Sequence, residues 1–471
     1  MTPAEIKDAF DRLSVKLRRQ AAECDAVDSW IRPELTAGFK LPPKATREHR
    51  RLQELSRTPW LGLVVTNVTQ ALRVDAFVGT DGREDDLVRL WHANGGPAAQ
   101  LANHRAMVAY GHSYSVVTPP APGEKRARIR FLSPRRVAGE WPDLGADPYP
   151  SEALEKLAAR GKATRYRLRV PGLDIDLVQR SDDGVDSEME GLVIAGSRET
   201  GLSYVPVVQF ANQVDLDGRV IGEVTPFIPA AARINKTAYD RLLAQHYNSW
   251  KVKTATGLEL PSEVDDDGDA TDRLDEDAAE RLKLKLAQDD ILVAEDADTK
   301  FGTLDATALD PFVNAWRADI EALAAVSQTP TYALTGTLAN LDSDALAGAR
   351  GPFTQKVSER QVGAGVSYSR TMRTAAHLSG WMDIAEDDLV RPTWQDMEIR
   401  SMSQAVDALG KAAQMLGIPP QALWPRIPGV EASDVQEWER RKDEEFDRDP
   451  LRATLSRQAE STVAGVSGGQ D

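Results

Sequence analysis

Residues 251–304 read KVKTATGLELPSEVDDDGDATDRLDEDAAERLKLKLAQDDILVAEDADTKFGTL, and the fold turns on them. KVKTATGLEL opens the stretch as a short strand and turn, SEVDDDGDATDRLDEDAAER is intensely acidic, and LKLKLA alternates apolar residues with lysine like an edge strand. Between Ser262 and Asp290 stand twelve Asp or Glu against four Arg or Lys, a local net of −8, half the −16 of the whole chain. Charge of one sign at this density marks a solvated, self-repelling surface, so the stretch reads as a small module outside the main core.

Its flanks define how it is carried. From about Pro229 to Trp250 the period is helical, with Ile234, Ala238, Leu242 and Tyr247 near one face. About 20 residues at about 1.5 Å each make a rod roughly 30 Å long. A second helix is expected from Thr307 to Ser327, with Phe312, Trp316, Ile320, Leu323 and Val326 at spacings of three and four, until Pro330 halts it. Two long helices around a compact insert predict an antiparallel pair with a module at its tip. TPTYALTGTLANLDSD (329–344) then reads as a polar loop of small residues, and a further helix opens near Ser343 and runs towards Leu378.

Towards the N-terminus, residues 3 to 30 predict an amphipathic helix burying Ile6, Phe10, Leu13, Val15 and Leu17, followed by an extended arm, RPELTAGFKLPP (32–43). Leu61 to Phe77 is a longer apolar-periodic segment, and Asn94-Gly95-Gly96-Pro97 breaks Glu84 to Tyr110 into two helices before a strand at Ser113 to Thr118. From Ala127 to Phe210 the period falls to two, through ARIRFLS, RYRLRV, DIDLVQ and YVPVVQF, with turns at Pro171-Gly172 and Asp183-Gly184, which implies antiparallel β structure. Beyond Trp394 an amphipathic helix is expected to bury Ile399, Met402, Val406, Leu409 and Leu416 and to stop at Pro419-Pro420. Shorter helices follow around Pro420 to Trp424 and Ala432 to Arg441, and STVAGVSGGQD (461–471) reads as disordered. The sum is a mainly helical α+β chain of several domains, which 471 residues readily accommodate.

Composition narrows the function. The excess of acid argues against a clamp on nucleic acid, because tight phosphate binding is driven by Lys and Arg releasing counterions. An acidic surface that meets DNA repels it and lets it slide. Cys24 is the single cysteine, so no internal disulfide or zinc site is expected, in keeping with a reducing cytoplasm. With no run of about 18 apolar residues and a charged, amphipathic start, neither membrane insertion nor export is expected.

No catalytic pattern is complete. GHSYS (111–115) places Ser115 where a nucleophile elbow needs glycine, and Gly161-Lys162-Ala163 lacks the preceding glycine and the hydroxyl of a phosphate-binding loop. Glu263, Asp265, Asp267 and Gly268 imitate the first half of a calcium loop, but Leu274 stands where its bidentate glutamate belongs. His92, His104, His112, His246 and His377 show no metal-ligand spacing, and the tryptophans read as core or interface anchors.

The order of elements resembles the portal proteins of siphophages over nearly the whole chain. The resemblance is carried by the N-terminal helix with its proline-bearing arm and by WHANGGPAAQLANHRAMVAYGHSYSVV (91–117) and GEVTPFIPAAARINKTAYDRLLAQHYNSW (222–250). SQTPTYALTGTLANLDSDALAGAR (327–350) and WQDMEIRSMSQAVDALGKAAQMLGIP (394–419) complete it. It implies a wing at 1–221 and 343–393, stem helices at 222–250 and 306–328, a small α/β clip at 251–305, a tunnel loop at 329–342, a helical crown at 394–445 and a flexible tail at 446–471. It implies further a closed ring, usually of twelve, at one capsid vertex of the virion, through which double-stranded DNA is packaged and ejected without specific binding. The terminase large subunit, the head-to-tail adaptor and the major capsid and scaffold proteins are the implied partners; no enzyme activity, cofactor, metal or membrane is implied.

On this resemblance Thr335, Gly336, Thr337, Leu338, Ala339 and Asn340 face the channel, and they include no Lys or Arg to capture a phosphate. Asp265, Asp266, Asp267, Asp269, Asp272, Asp275 and Glu276 form an acidic surface on the clip. The competing readings are another head-completion or scaffold-type virion protein, and a metal-dependent nuclease using Asp265, Asp266 and Asp267.

Overall fold

The computed structural model describes residues 1–448 apart from 33, 35–38, 80–81, 144–146, 161–162, 181–190, 250–252, 257–261, 265–269, 275–299, 304–306, 337–342, 396–401, 425–426, 428–429 and 431. The chain divides into two compact units, one of Met1–Ile31, Leu61–Pro226 and Asn340–Asp471 and one of Arg32–Trp60 and Phe227–Ala339. The architecture is mixed α+β with helix predominating.

In the first unit, α1 (Pro3–Ile31) lies on a five-stranded antiparallel sheet of order β4-β5-β6-β7-β8. The strands are β4 (Val137–Glu140), β5 (Glu152–Arg160), β6 (Ala163–Val170), β7 (Leu173–Arg180) and β8 (Leu192–Glu199). Ile6, Phe10, Leu13 and Leu17 pack onto Leu154, Leu168, Ile175 and Leu177, each apolar side chain so buried contributing about 1.5–3 kcal/mol. Val15, expected in that stripe, is exposed: two residues after Leu13 it stands about 200° round the helix.

The expected segment from Leu61 to Phe77 is two elements, α3 (Trp60–Ala71) and β1 (Val74–Val78), the strand pairing with β14 (Arg391–Trp394). α4 (Glu84–Ala93) and α5 (Gly96–Tyr110) are separated where expected. Gly95 takes a left-handed φ of 63°, and a Cβ on Gly96 would fall 2.0 Å from the Trp91 ring, so a side chain at neither position fits the turn. β2 (His112–Thr118) is the centre of a three-stranded sheet, β3-β2-β9, with β3 (Arg128–Leu132) and β9 (Val207–Ala211). Across it runs α9 (Ser343–Leu378), whose Tyr368 is buried among Phe77, Trp91, Phe131 and Phe210.

The same unit ends in α10 (Met382–Glu386), α11 (Met402–Leu416), α12 (Pro420–Leu423) and α13 (Ala432–Arg448). Val406 and Leu416, expected to be buried, are exposed, although Ala405 on the same face is covered. α11 packs against the short α12, which covers less than its apolar face offers. Ile399 and the C-terminal STVAGVSGGQD lie outside the described residues.

The second unit contains α2 (Arg47–Ser56), α6 (Ile228–Ser249), α7 (Asp310–Val326), α8 (Thr331–Thr335) and four strands: β10 (Lys253–Thr256), β11 (Ser262–Val264), β12 (Ala270–Leu274) and β13 (Lys300–Thr303). Ile234 and Ala238 of α6 and Ile320 and Leu323 of α7 are buried. Tyr247 and Val326 are exposed against expectation: Tyr247 is 220° from Ile234 on the helix, and Val326 ends α7 at the rim of its stripe.

Candidate functional site

α6 and α7 are antiparallel, as the pairings along them show. Arg233 and Thr237 both meet Asp319, at 2.7 and 3.1 Å; the Arg241 guanidinium lies 5.6 Å from the Trp316 ring centre; and the Asn248 side chain exchanges hydrogen bonds with the Thr307 backbone at 2.8 and 3.0 Å. Residue numbers rise along one helix as they fall along the other. The insert thus begins and ends at one end of the pair.

There β10 and β13 close its base in antiparallel register, Lys253 opposite Thr303 and Thr256 opposite Lys300. Further out β11 pairs with β12, Ser262 opposite Leu274 and Val264 opposite Ala270. Asp272 stands on β12, and Asp265, Asp266, Asp267 and Asp269 fall in the five-residue link between the two strands, outside the described residues, as do Asp275, Glu276 and LKLKLA. Glu263 and Leu274 lie on paired strands, where a calcium loop of the EF-hand type is flanked by helices.

The opposite end of α7 is closed by a specific turn. Gln328 has φ 51°, its N–H donates to the Ala325 carbonyl, and the Thr329 N–H donates to the Ala324 carbonyl at 3.0 Å. This is a Schellman stop with glutamine in the left-handed position usually given to glycine. The Ser327 hydroxyl adds a bond to Thr329 Oγ1 at 3.0 Å. The stretch expected to be loop from Thr329 is then helical for one turn, because Pro330 sets the entry and Leu334 finds a buried place. Thr335 therefore ends α8, half-buried, with its hydroxyl donating to the Thr331 carbonyl at 3.0 Å; Gly336, with φ 69°, terminates the turn and is exposed. Thr337, Leu338, Ala339 and Asn340 lie outside the described residues.

Two buried ion clusters brace the first unit. On the sheet, Arg169 reaches Glu155 and Asp174, each at 2.8 Å, while Arg130 caps Glu155 and Arg198 caps Asp174. Burial pushes the Glu155 carboxyl up, but Arg130 and Arg169 more than reverse this and leave it below its ordinary value. After β9, Glu223 meets Lys356 at 2.5 Å and Arg360 at 3.1 Å on α9. Its carboxyl is likewise raised by burial and lowered further by Lys356, Asn212 and Arg360. A signal for the first cluster was present: RYRLRV and DIDLVQ put alternate arginines and aspartates on either side of Pro171-Gly172, and the observed register sets Arg169 opposite Asp174 and Arg167 opposite Asp176.

Ser113 and Ser115 sit on β2, buried, bonded to Asn103 and Thr371 at 2.6 and 2.7 Å. His104 is held between the Leu72 carbonyl and the Tyr368 hydroxyl, both at 2.9 Å, and His112 lies 2.7 Å from Gln20. Burial pushes both imidazoles down to about 4. Among the described residues no three His, Cys, Asp or Glu side chains gather as a metal site, and no helix is long and apolar enough to cross a membrane.

A family model described as phage portal protein, SPP1 Gp6-like, matches residues 37–447. The chain belongs to this family. As a portal protein it is a component of the virion, the portal subunit through which the genome is packaged and ejected. No curated protein matches the sequence. Among solved structures the portal protein is similar to a chain from the virion of a native gene transfer agent particle, at 14% identity and a TM-score of 0.42 over 84% of this chain and 99% of that one. It is also similar to a chain from the neck of a native gene transfer agent particle computed with C12 symmetry, at 14% identity and a TM-score of 0.40 over 81% and 97%.

Proposed function

We propose that twelve copies of the chain close into a ring around duplex DNA, with residues 1–221 and 343–393 as wing, 222–250 and 306–328 as stem, 251–305 as clip, 329–342 as tunnel loop, 394–445 as crown and 446–471 as tail. The antiparallel pair of α6 and α7 carries this reading. One of its ends bears the acidic insert and the other leads into residues 329–342, which carry no Lys or Arg, so neither end of the pair offers a polyanion a cationic grip. The acidic insert docks the terminase large subunit during packaging and the head-to-tail adaptor afterwards, the wing and crown face capsid and scaffold proteins, and the ring does no chemistry of its own.

Class averages of the purified protein viewed down its axis are expected to show a twelve-fold ring with a central hole. Changing Thr335, Thr337 and Asn340 together to lysine is expected to leave the rings intact and to slow DNA translocation at least several-fold in a packaging assay with the cognate motor. Monomers or dimers at all concentrations, or normal translocation through the lysine ring, would contradict the reading.

A further inference from the structure

Within the first unit, the segment after β9 folds into a tight hairpin. Val214 and Val220 bridge, Asp215 N–H donates to the Arg219 carbonyl at 3.1 Å, and the Arg219 N–H donates to Asp215 Oδ1 at 2.8 Å. Arg219 also reaches Asp217 at 2.7 Å, and Gly218 supplies the left-handed turn at φ 74°. At the tip of this braced hairpin Leu216 is fully exposed, with Val214 and Ile221 partly exposed behind it. A leucine held at the tip of a hydrogen-bonded turn keeps its apolar surface in water unless something covers it.

A cleft of about 560 Å³ lies elsewhere in the same unit, between α9 and β14. Val362 and Val366, 70% and 48% exposed, form one lip; Val390, Pro392 and Trp394 form the other wall. Arginines surround it. Arg373 is taken by Asp388 at 2.6 Å, but among the described residues Arg391 has no carboxylate in reach and Arg370 has only the Pro148 carbonyl at 3.5 Å. Burial pushes the half-buried Arg370 guanidinium down from its ordinary value, with Tyr149 alone opposing it.

We propose that Leu216 of one subunit seats in the cleft between α9 and β14 of the next, with Asp215 and Asp217 against Arg370 and Arg391. Polarity and charge match: an apolar tip between two carboxylates that share one arginine meets a cleft with an apolar lip and wall and two guanidiniums that no carboxylate among the described residues pairs. The occupant is a second copy of this chain because the two surfaces differ and belong to one unit, which is what a head-to-tail contact repeated round a closed ring requires. The inference rests on the ring reading above and names a contact that holds it together.

The test uses the full chain carrying Leu216→Cys together with either Val362→Cys or Val366→Cys. Native Cys24 is buried, its thiol pushed up to about 12, so it stays silent to maleimides. A short bis-maleimide is expected to give a ladder of covalent oligomers from one of the double variants and none from the single ones. Leu216→Asp, at a fully exposed position, is expected to leave the melting temperature unaltered and to cut the assembled fraction at least tenfold. Rings in micrographs without a ladder from either pair, or normal assembly of Leu216→Asp, would overturn the contact and leave the ring reading standing; wild-type protein that forms no rings overturns both.

Discussion

In the five-stranded sheet Arg169 reaches Glu155 and Asp174 at 2.8 Å with all three side chains closed to solvent, whereas along α6 and α7 Arg233 meets Asp319 at 2.7 Å with its guanidinium more than half in water. The distances are alike and the consequences are not. Withdrawing one member of a desolvated cluster strands its partners in a medium that cannot solvate them, while a pair whose guanidinium already stands in water exchanges its bond for water at smaller cost. Charge thus adds to the apolar face in fixing the register of the sheet, while on the helix pair the buried Ile234, Ala238, Ile320 and Leu323 matter more than the ion pair.

The largest effect should come from the sheet. Arg169→Met leaves Glu155 and Asp174 buried beside only Arg130 and Arg198, and a loss of about 3–5 kcal/mol in the unfolding free energy from denaturant titration is expected. A loss below about 1 kcal/mol would break the contrast. Acid should act next. His104 is buried and neutral, and half-buried His112 is held neutral by desolvation and by Lys16, so the folded chain takes up their protons near pH 4 while the unfolded chain does so near pH 6.5. Stability is therefore full above pH 6.5 and falls as pH drops towards 4, by about 3 kcal/mol for the fully buried His104 and by less for His112. His104→Gln should flatten that part of a melting-temperature profile; an unchanged slope would show that other groups set it. The smallest effect belongs to the helix pair, where Arg233→Ala should cost no more than about 1 kcal/mol and a double-mutant cycle with Asp319→Ala should find little coupling.

Periodicity made most elements legible. The helix expected from Pro229 to Trp250 is α6, the one opening near Ser343 is α9 to Leu378, and the period-two tracts are β3, β6, β7 and β9. The antiparallel pairing of the rods followed from a short insert between two long helices. What periodicity does not encode is the partner: it put Val406 and Leu416 of α11 on an apolar face correctly, yet said nothing of what covers that face. Nor does it count phase strictly, so Val15 and Tyr247 were placed with neighbours from which they point away. The buried triad around Arg169 was readable only by pairing two charge-alternating tracts across a turn, and the link from Glu223 to Lys356 and Arg360 joins residues more than a hundred positions apart with no local pattern. At the candidate site, Pro330 signalled the end of α7, but the left-handed Gln328 stands where glycine would have announced the turn.

Because Lys253 lies opposite Thr303 and Asn248 clasps Thr307, the chain leaves the helix pair and returns to it at one spot. Whatever is spliced between those two points adds no displacement to the rods. The insert is therefore a graft site: its length, strand count and charge can change while the helices that bear it keep their spacing.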